Sequence, residues 1–128
     1  MFTSKPRLTF YYASVRADTY AQMLKPFGVK LHYTDQHRLS PQAEKELGCT
    51  YHPTMESLVA QVDAVLLNCP LYPGTQHMFS DRLLRSMRRG SYIVNNARGK
   101  LMDRDALARA VQDGHIAGYA GDVYVWTV

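Results

Sequence analysis

From residue 29 onward the chain alternates short β-rich runs with amphipathic stretches, and no other feature restricts its fold as strongly. Repeated βα units of this kind build a parallel sheet with helices on its faces. Residues 29–34, Val-Lys-Leu-His-Tyr-Thr, read as a strand ending at Asp35. Pro41–Leu47 reads as a short helix, with proline in its first turn and Gly48 just past its end. Residues 49–52 form a short strand, and Thr54 caps a helix whose Met55, Leu58, Val59 and Val62 share one side. The apolar run 63–68 is predicted to be a central strand covered on both faces.

After the loop Pro70-Leu71-Tyr72-Pro73-Gly74, Ser80 can cap a helix over 81–89 that Gly90 ends. Residues 91–95 read as another buried strand, followed by the loop Asn96-Ala97-Arg98-Gly99. A helix over 103–112, with Leu107, Ala110 and Val111 as its core stripe, stops at Gly114 and leads to a last strand at 116–121. Upstream, residues 8–12 are strand-like, and 18–27 can be helical up to Gly28. The expectation is one α/β domain over 1–128: a doubly wound parallel sheet of the Rossmann type, in three layers, with strand order 3-2-1-4-5-6.

Hydrophobic residues make up 46% and charged residues 20% of the 128, a soluble globular composition. Asp63 and Asn68 bound the apolar run between them, so nothing approaches the roughly 20 residues that span a bilayer. The N-terminus lacks a secretory pattern, which makes the cytoplasm the expected location. Cys49 and Cys69 have no CxxC spacing and no paired histidines nearby, and read as reduced, buried thiols with no metal site. The net charge is +4, with its densest cluster at Arg82, Arg85, Arg88 and Arg89. Arg82, Arg85 and Arg89 recur at helical spacing while Leu83, Leu84 and Met87 supply a buried face, so a solvated helix is expected there rather than a nucleic-acid surface.

In an open parallel sheet, ligands bind beyond the carboxyl ends of the strands. Those ends fall at residues 12–17, Asp35-Gln36, Asn68-Cys69-Pro70, residues 95–99 and Asp122. An acid closing the second strand can accept hydrogen bonds from both hydroxyls of an adenosine ribose and repel a 2′-phosphate, so Asp35 favours NAD over NADP. A helix cap or an exposed loop acid is the competing reading. Arg98, just past a strand, can hold a small carboxylate through two parallel hydrogen bonds, or be a surface arginine. Asp122 can fix a nicotinamide amide, or simply mark a strand exit.

Together, Leu24-Lys25-Pro26-Phe27, Leu31-His32-Tyr33-Thr34-Asp35, Leu67-Asn68-Cys69-Pro70-Leu71 and Tyr92-Ile93-Val94-Asn95 resemble NAD-dependent formate dehydrogenase, a branch of the D-specific 2-hydroxyacid dehydrogenases. Ala97-Arg98-Gly99-Lys100, Asp103-Arg104-Asp105-Ala106 and the run from Ala117 to Val123 extend the likeness over residues 24 to about 124. The resemblance implies NAD as cofactor and formate as the small anionic substrate. It assigns Arg98 to the substrate carboxylate, with Asn68 beside it. Cofactor contacts fall to Asp35, Gln36, Pro70, Asn96 and Asp122. A homodimer is implied too, because in that family the cofactor domain supplies the dimer interface.

The chain also departs from the pattern. Gln36 replaces an arginine, Tyr72 a histidine common in bacterial members, and Asn96 a threonine. Counted back from Leu24, the family's A-x-G-x-x-G turn falls on Tyr12-Ala13-Ser14-Val15-Arg16-Ala17, where Ser14 and Ala17 take the glycine positions and their Cβ atoms intrude on a pyrophosphate. Residues 1–23 lack resemblance, as a frameshift or altered gene start would produce. The family's downstream catalytic histidine and its substrate domain are missing. The expectation is a truncated NAD-binding domain with little or no activity alone. The alternatives are a non-enzymatic association module and a dehydrogenase of another 2-hydroxy or 2-keto acid.

Overall fold

The computed structural model describes residues 7–12 and 17–121, with side chains from residue 19 onward. The described residues form a six-stranded sheet, entirely parallel, from β1 (Arg7–Tyr12), β2 (Lys30–Thr34), β3 (Cys49–Tyr51), β4 (Ala64–Asn68), β5 (Ser91–Asn95) and β6 (Ile116–Gly121). Their order is β3-β2-β1-β4-β5-β6, as the alternation predicts. The chain reverses its direction of travel between β1 and β4, which opens a crevice at the carboxyl ends of those two strands. Register sets that edge: Tyr11 lies opposite Thr34, Tyr12 opposite Asn68, Leu67 opposite Asn95, and Asn95 opposite Gly121.

The helices are α1 (Ala17–Leu24), α2 (Pro41–Leu47), α3 (Met55–Val59), α4 (Asp81–Ser86) and α5 (Arg104–Gln112). Four begin at a side-chain cap. Ser40, Thr54, Ser80 and Asp103 accept the amides of Ala43, Ser57, Leu83 and Ala106, each worth about 1 kcal/mol. Gly48 ends α2 at φ 66°, a left-handed turn that points its amide at the Glu44 carbonyl. A 3-10 turn, Lys25–Phe27, follows α1 and stops at Gly28, so the helical stretch expected over 18–27 is two pieces.

Alternation along β4 sorts the two layers. Val65 and Leu67 face α3, α4 and α5 in the larger core with Leu58, Val59, Leu84, Ile93 and Ile116. Leu66 faces the smaller core, where α1 and α2 cover Leu31 and Tyr33 of β2. Each fully buried Leu, Ile or Val there contributes roughly 1.5–3 kcal/mol.

Four expectations need correction. The 81–89 helix stops at Ser86, because Met87 turns extended (ψ 153°) and sinks its side chain into the core. Arg89 therefore leaves the helix, and Gly90 closes the turn into β5 instead, its amide donating to the His115 carbonyl. β5 is buried on one face only: Tyr92 and Val94 are 42% and 37% exposed, since α1 and α2 lie over β2 and β3. Val111 is outside the α5 core stripe, which consists of Ala106 and Ala110 with Leu107 packed against them. Cys69 is buried, but Cys49 is half-buried.

Three arginines of the cluster pair with carboxylates, and Arg89 donates to the Asp113 backbone carbonyl. Arg82 pairs with Glu56, Arg85 with Asp113 at 2.6 Å, and Arg88 with Asp63 at 3.0 Å. Among the described residues no helix is long and apolar enough to cross a membrane.

Candidate functional site

Three loops at the carboxyl edge carry the residues singled out above. After β2, Asp35 makes a tight turn in which its Oδ1 accepts the His37 amide at 3.0 Å. Its other carboxylate oxygen has no partner among the described residues. The turn is anchored from below. The Tyr33 hydroxyl donates to Glu44 at 2.6 Å and accepts the Leu39 amide at 3.0 Å, while Arg38 grips both Glu44 oxygens and lies over the Tyr51 ring.

The Glu44 carboxyl is held below the usual carboxylate range, first by Arg38 and then by the Tyr33 hydroxyl. Its value in the folded chain lies below that in the unfolded chain, so this anchor stabilises the fold above the ordinary carboxylate range. That contribution is lost as pH falls through the lowered value. Below about pH 4, amides of the 36–39 turn should lose exchange protection before those of β4. Glu44→Gln should remove that acid dependence, and an unchanged acid profile in this variant would exclude Glu44 as its source.

Asn68 ends β4, opposite Tyr12 of β1 at the edge of the crevice. Its amide nitrogen is buried and meets no hydrogen-bond partner among the described residues. A buried N–H without an acceptor costs about 1–3 kcal/mol, so an acceptor from outside the chain fits this position. Cys69, next along, has its thiol pushed up to about 12 by burial and stays protonated at neutral pH, unfit as a nucleophile. Pro70 is exposed, and its carbonyl accepts the buried Thr75 hydroxyl, which shapes the loop.

The loop after β5 presents Asn96 and Arg98, both exposed. Among the described residues the Arg98 side chain bonds only its neighbour's carbonyl, that of Ala97, at 2.8 Å. Arg38, Arg82, Arg85, Arg88, Arg104 and Arg109 each meet a carboxylate, so Arg98 stands out at the sheet edge as a guanidinium with no acidic partner among the described residues. A 3-10 turn, Gly99–Leu101, follows and laces this loop to the previous one. His77 N donates to Lys100 O at 2.7 Å, Phe79 N to Leu101 O at 3.0 Å, and Asp103 N to Phe79 O at 3.1 Å.

Asp35, Gln36, Asn68, Pro70, Asn96 and Arg98 thus lie at or just past the carboxyl ends of β2, β4 and β5, at one edge of the sheet. Ser14 and Asp122 lie outside the described residues, and Ala17 is described only as the first residue of α1. Two contacts were not legible in the sequence. Gln36 donates to the Tyr72 hydroxyl at 2.7 Å, joining the loops after β2 and β4. Asn95, wholly buried, bonds both Ala97 and Arg98. Only its place at a strand end could have drawn attention to it.

Comparison with known proteins places this arrangement. The profile of the D-isomer specific 2-hydroxyacid dehydrogenase NAD-binding domain matches residues 16–126. Formate dehydrogenase of Pseudomonas sp. (strain 101) is 58% identical over 101 residues, covering 79% of this chain and 25% of that protein. Mitochondrial formate dehydrogenase 2 of Oryza sativa subsp. japonica is 43% identical over 103 residues, covering 80% of this chain and 27% of that protein. The structure of Granulicella M. formate dehydrogenase superposes with a TM-score of 0.91 at 43% identity, over 95% of this chain and 32% of that one. D-mandelate dehydrogenase of Rhodotorula graminis superposes at 0.90 with 28% identity, over 95% of this chain and 36% of that one. The chain therefore spans about a quarter of the length of these curated relatives. The profile match over residues 16–126, together with these superpositions, establishes that this chain belongs to the NAD-binding domain family of the D-isomer specific 2-hydroxyacid dehydrogenases.

Proposed function

We propose that the chain is the NAD-binding portion of a formate dehydrogenase, acting on formate and NAD only together with a substrate domain that the 1–128 stretch does not supply. The observation that carries this reading is the unpartnered Asn68 amide, buried in the crevice and flanked by the Asp35 and Arg98 loops. Asp35 holds the adenosine ribose, with Gln36 and Pro70 lining that end. Asn96 borders the nicotinamide end, and the family likeness assigns Asp122 to the nicotinamide and Ser14 and Ala17 to the pyrophosphate turn. Arg98 binds the formate carboxylate through its guanidinium fork, and the Asn68 amide donates to a ligand oxygen. A bound NAD would supply the hydride acceptor for oxidation of formate to carbon dioxide. Arg98 and Asn68 orient the carboxylate so that its hydrogen faces the acceptor, a task of positioning and electrostatics.

Calorimetric titration of the purified chain with NAD tests the reading. Saturable one-site binding, weakened by the missing turn glycines, is expected together with negligible formate turnover. No heat at millimolar NAD would overturn it. The cytoplasm is the proposed location of this chain, although relatives from Oryza sativa and Hordeum vulgare are named as mitochondrial.

One observation favours association as a second role. The open face of β5 exposes Tyr92 and Val94 side by side with the small residues Gly118 and Ala120 of β6, an apolar surface suited to a homodimer. Dimerisation without NAD binding, seen by size exclusion, would favour this reading over the first.

A further inference from the structure

The geometry points to Asn95, braced by Tyr119, as the positioning residue that fixes the loop carrying Arg98; its role toward substrate rests on the reading of Arg98 given above. Asn95 ends β5 and is 0% exposed. Its Oδ1 accepts the Ala97 amide at 3.1 Å, and its Nδ2 donates to the Arg98 carbonyl at 2.9 Å. The loop is thus cinched twice around one side chain, on either side of the Ala97–Arg98 peptide. The Arg98 carbonyl also accepts the Leu101 amide at 3.2 Å, which ties the same point to the following 3-10 turn.

The second Nδ2 hydrogen goes to the Tyr119 hydroxyl at 3.2 Å. An asparagine amide has two N–H donors and one carbonyl acceptor, and here both donors and the acceptor are engaged. Its rotation is therefore blocked, and the two bonds to the loop hold their direction. Aspartate has the same outline but, ionised, can only accept, so it would face the Arg98 carbonyl with a like dipole.

Gly121 makes room for the brace. A Cβ built there would sit 2.8 Å from the Tyr119 hydroxyl and 3.1 Å from the Asn95 carbonyl oxygen. A side chain at 121 would therefore push the tyrosine off Asn95. Strand β6 contributes to the site through support: Tyr119 supplies the strut and Gly121 its clearance. Arg98 itself is exposed and held by no acidic partner among the described residues, so its aim depends on its backbone, and its backbone depends on Asn95.

The test compares the intact chain with Asn95→Ala and Tyr119→Phe, by titration with NAD, titration of the NAD complex with formate, and native-state amide exchange. Asn95→Ala is expected to speed exchange at Ala97 at least tenfold while Val94 holds its rate. It should weaken formate binding about tenfold, with NAD affinity within twofold. Tyr119→Phe, which removes one hydroxyl and keeps the fold if Asn95→Ala does not, should shift both readouts in the same direction by a smaller factor. A merely structural residue would lower both affinities together. Parallel loss of NAD and formate binding, or Ala97 exchange unchanged in either folded variant, overturns the positioning role. Absence of formate binding in the unchanged chain sinks the Arg98 reading, and the exchange rates then decide the loop-fixing role by themselves.

Discussion

Phe79→Ala is expected to cost about 3–5 kcal/mol of folding free energy, the range for emptying a buried phenylalanine site. Domains of this size commonly hold only about 5–15 kcal/mol, so the variant should melt far below the intact chain or fail to fold. Phe79 is 0% exposed and packs in the larger core with Leu84, Leu101 and Met102. Its backbone does a second job. Residue 79 bridges Met102 in a short parallel contact, donating to Leu101 and accepting from Asp103, and the next residue caps α4. Phe79 therefore clamps the loop after β4, which follows Asn68, to the loop after β5, which bears Arg98. Collapse of the cavity would slide one loop against the other. Chemical denaturation of Phe79→Ala beside Phe79→Leu checks this. The leucine variant keeps most of the volume and should recover much of the loss, and equal stability of all three proteins would rule out a core role.

The contrast between what the sequence reveals and what it hides runs along the distance over which each feature is decided. Strand order followed from local signals, because βα alternation leaves few ways to arrange six parallel strands. Two caps were legible for the same reason: Thr54 and Ser80 act on amides three residues away, while the caps at Ser40 and Asp103 emerge only in the structure. The end of α4 was hidden, since Leu-Arg-Ser-Met-Arg-Arg has helical propensity throughout and only the tertiary pocket for Met87 draws it out. The exposure of Tyr92 and Val94 was hidden too. An apolar strand reads as covered on both sides, whereas the cover depends on where α1 and α2 settle. At the site, placement of Asp35, Asn68 and Arg98 came from strand ends. The contacts that tune them span 36 residues from Gln36 to Tyr72 and 24 from Asn95 to Tyr119, beyond any local pattern.

On the proposed reading, Asp35→Ala should weaken NAD binding about a hundredfold, or roughly 2.7 kcal/mol. A carboxylate accepting the two ribose hydroxyls makes charge-assisted bonds worth about 1.5–3 kcal/mol each, and the partial exposure of Asp35 places the expected loss below their sum. Part of the effect could come from the turn, because the same carboxylate accepts the His37 amide at 3.0 Å. Asp35→Asn separates the two. Its amide oxygen can keep the His37 bond while the negative charge is gone, so a loss nearly as large as in the alanine variant assigns the effect to charge. The same pair reports on selectivity. Removing the carboxylate removes repulsion of a 2′-phosphate, yet Gln36 is neutral and engaged with Tyr72, so no cation at that position replaces the repulsion with attraction. NAD affinity should therefore collapse toward that for NADP, with little gain for NADP. Titration of both variants with each dinucleotide decides the matter: NAD affinity unchanged within twofold in Asp35→Ala would remove Asp35 from the ribose, and a strong gain in NADP binding would show that a cation elsewhere in the chain reaches the phosphate.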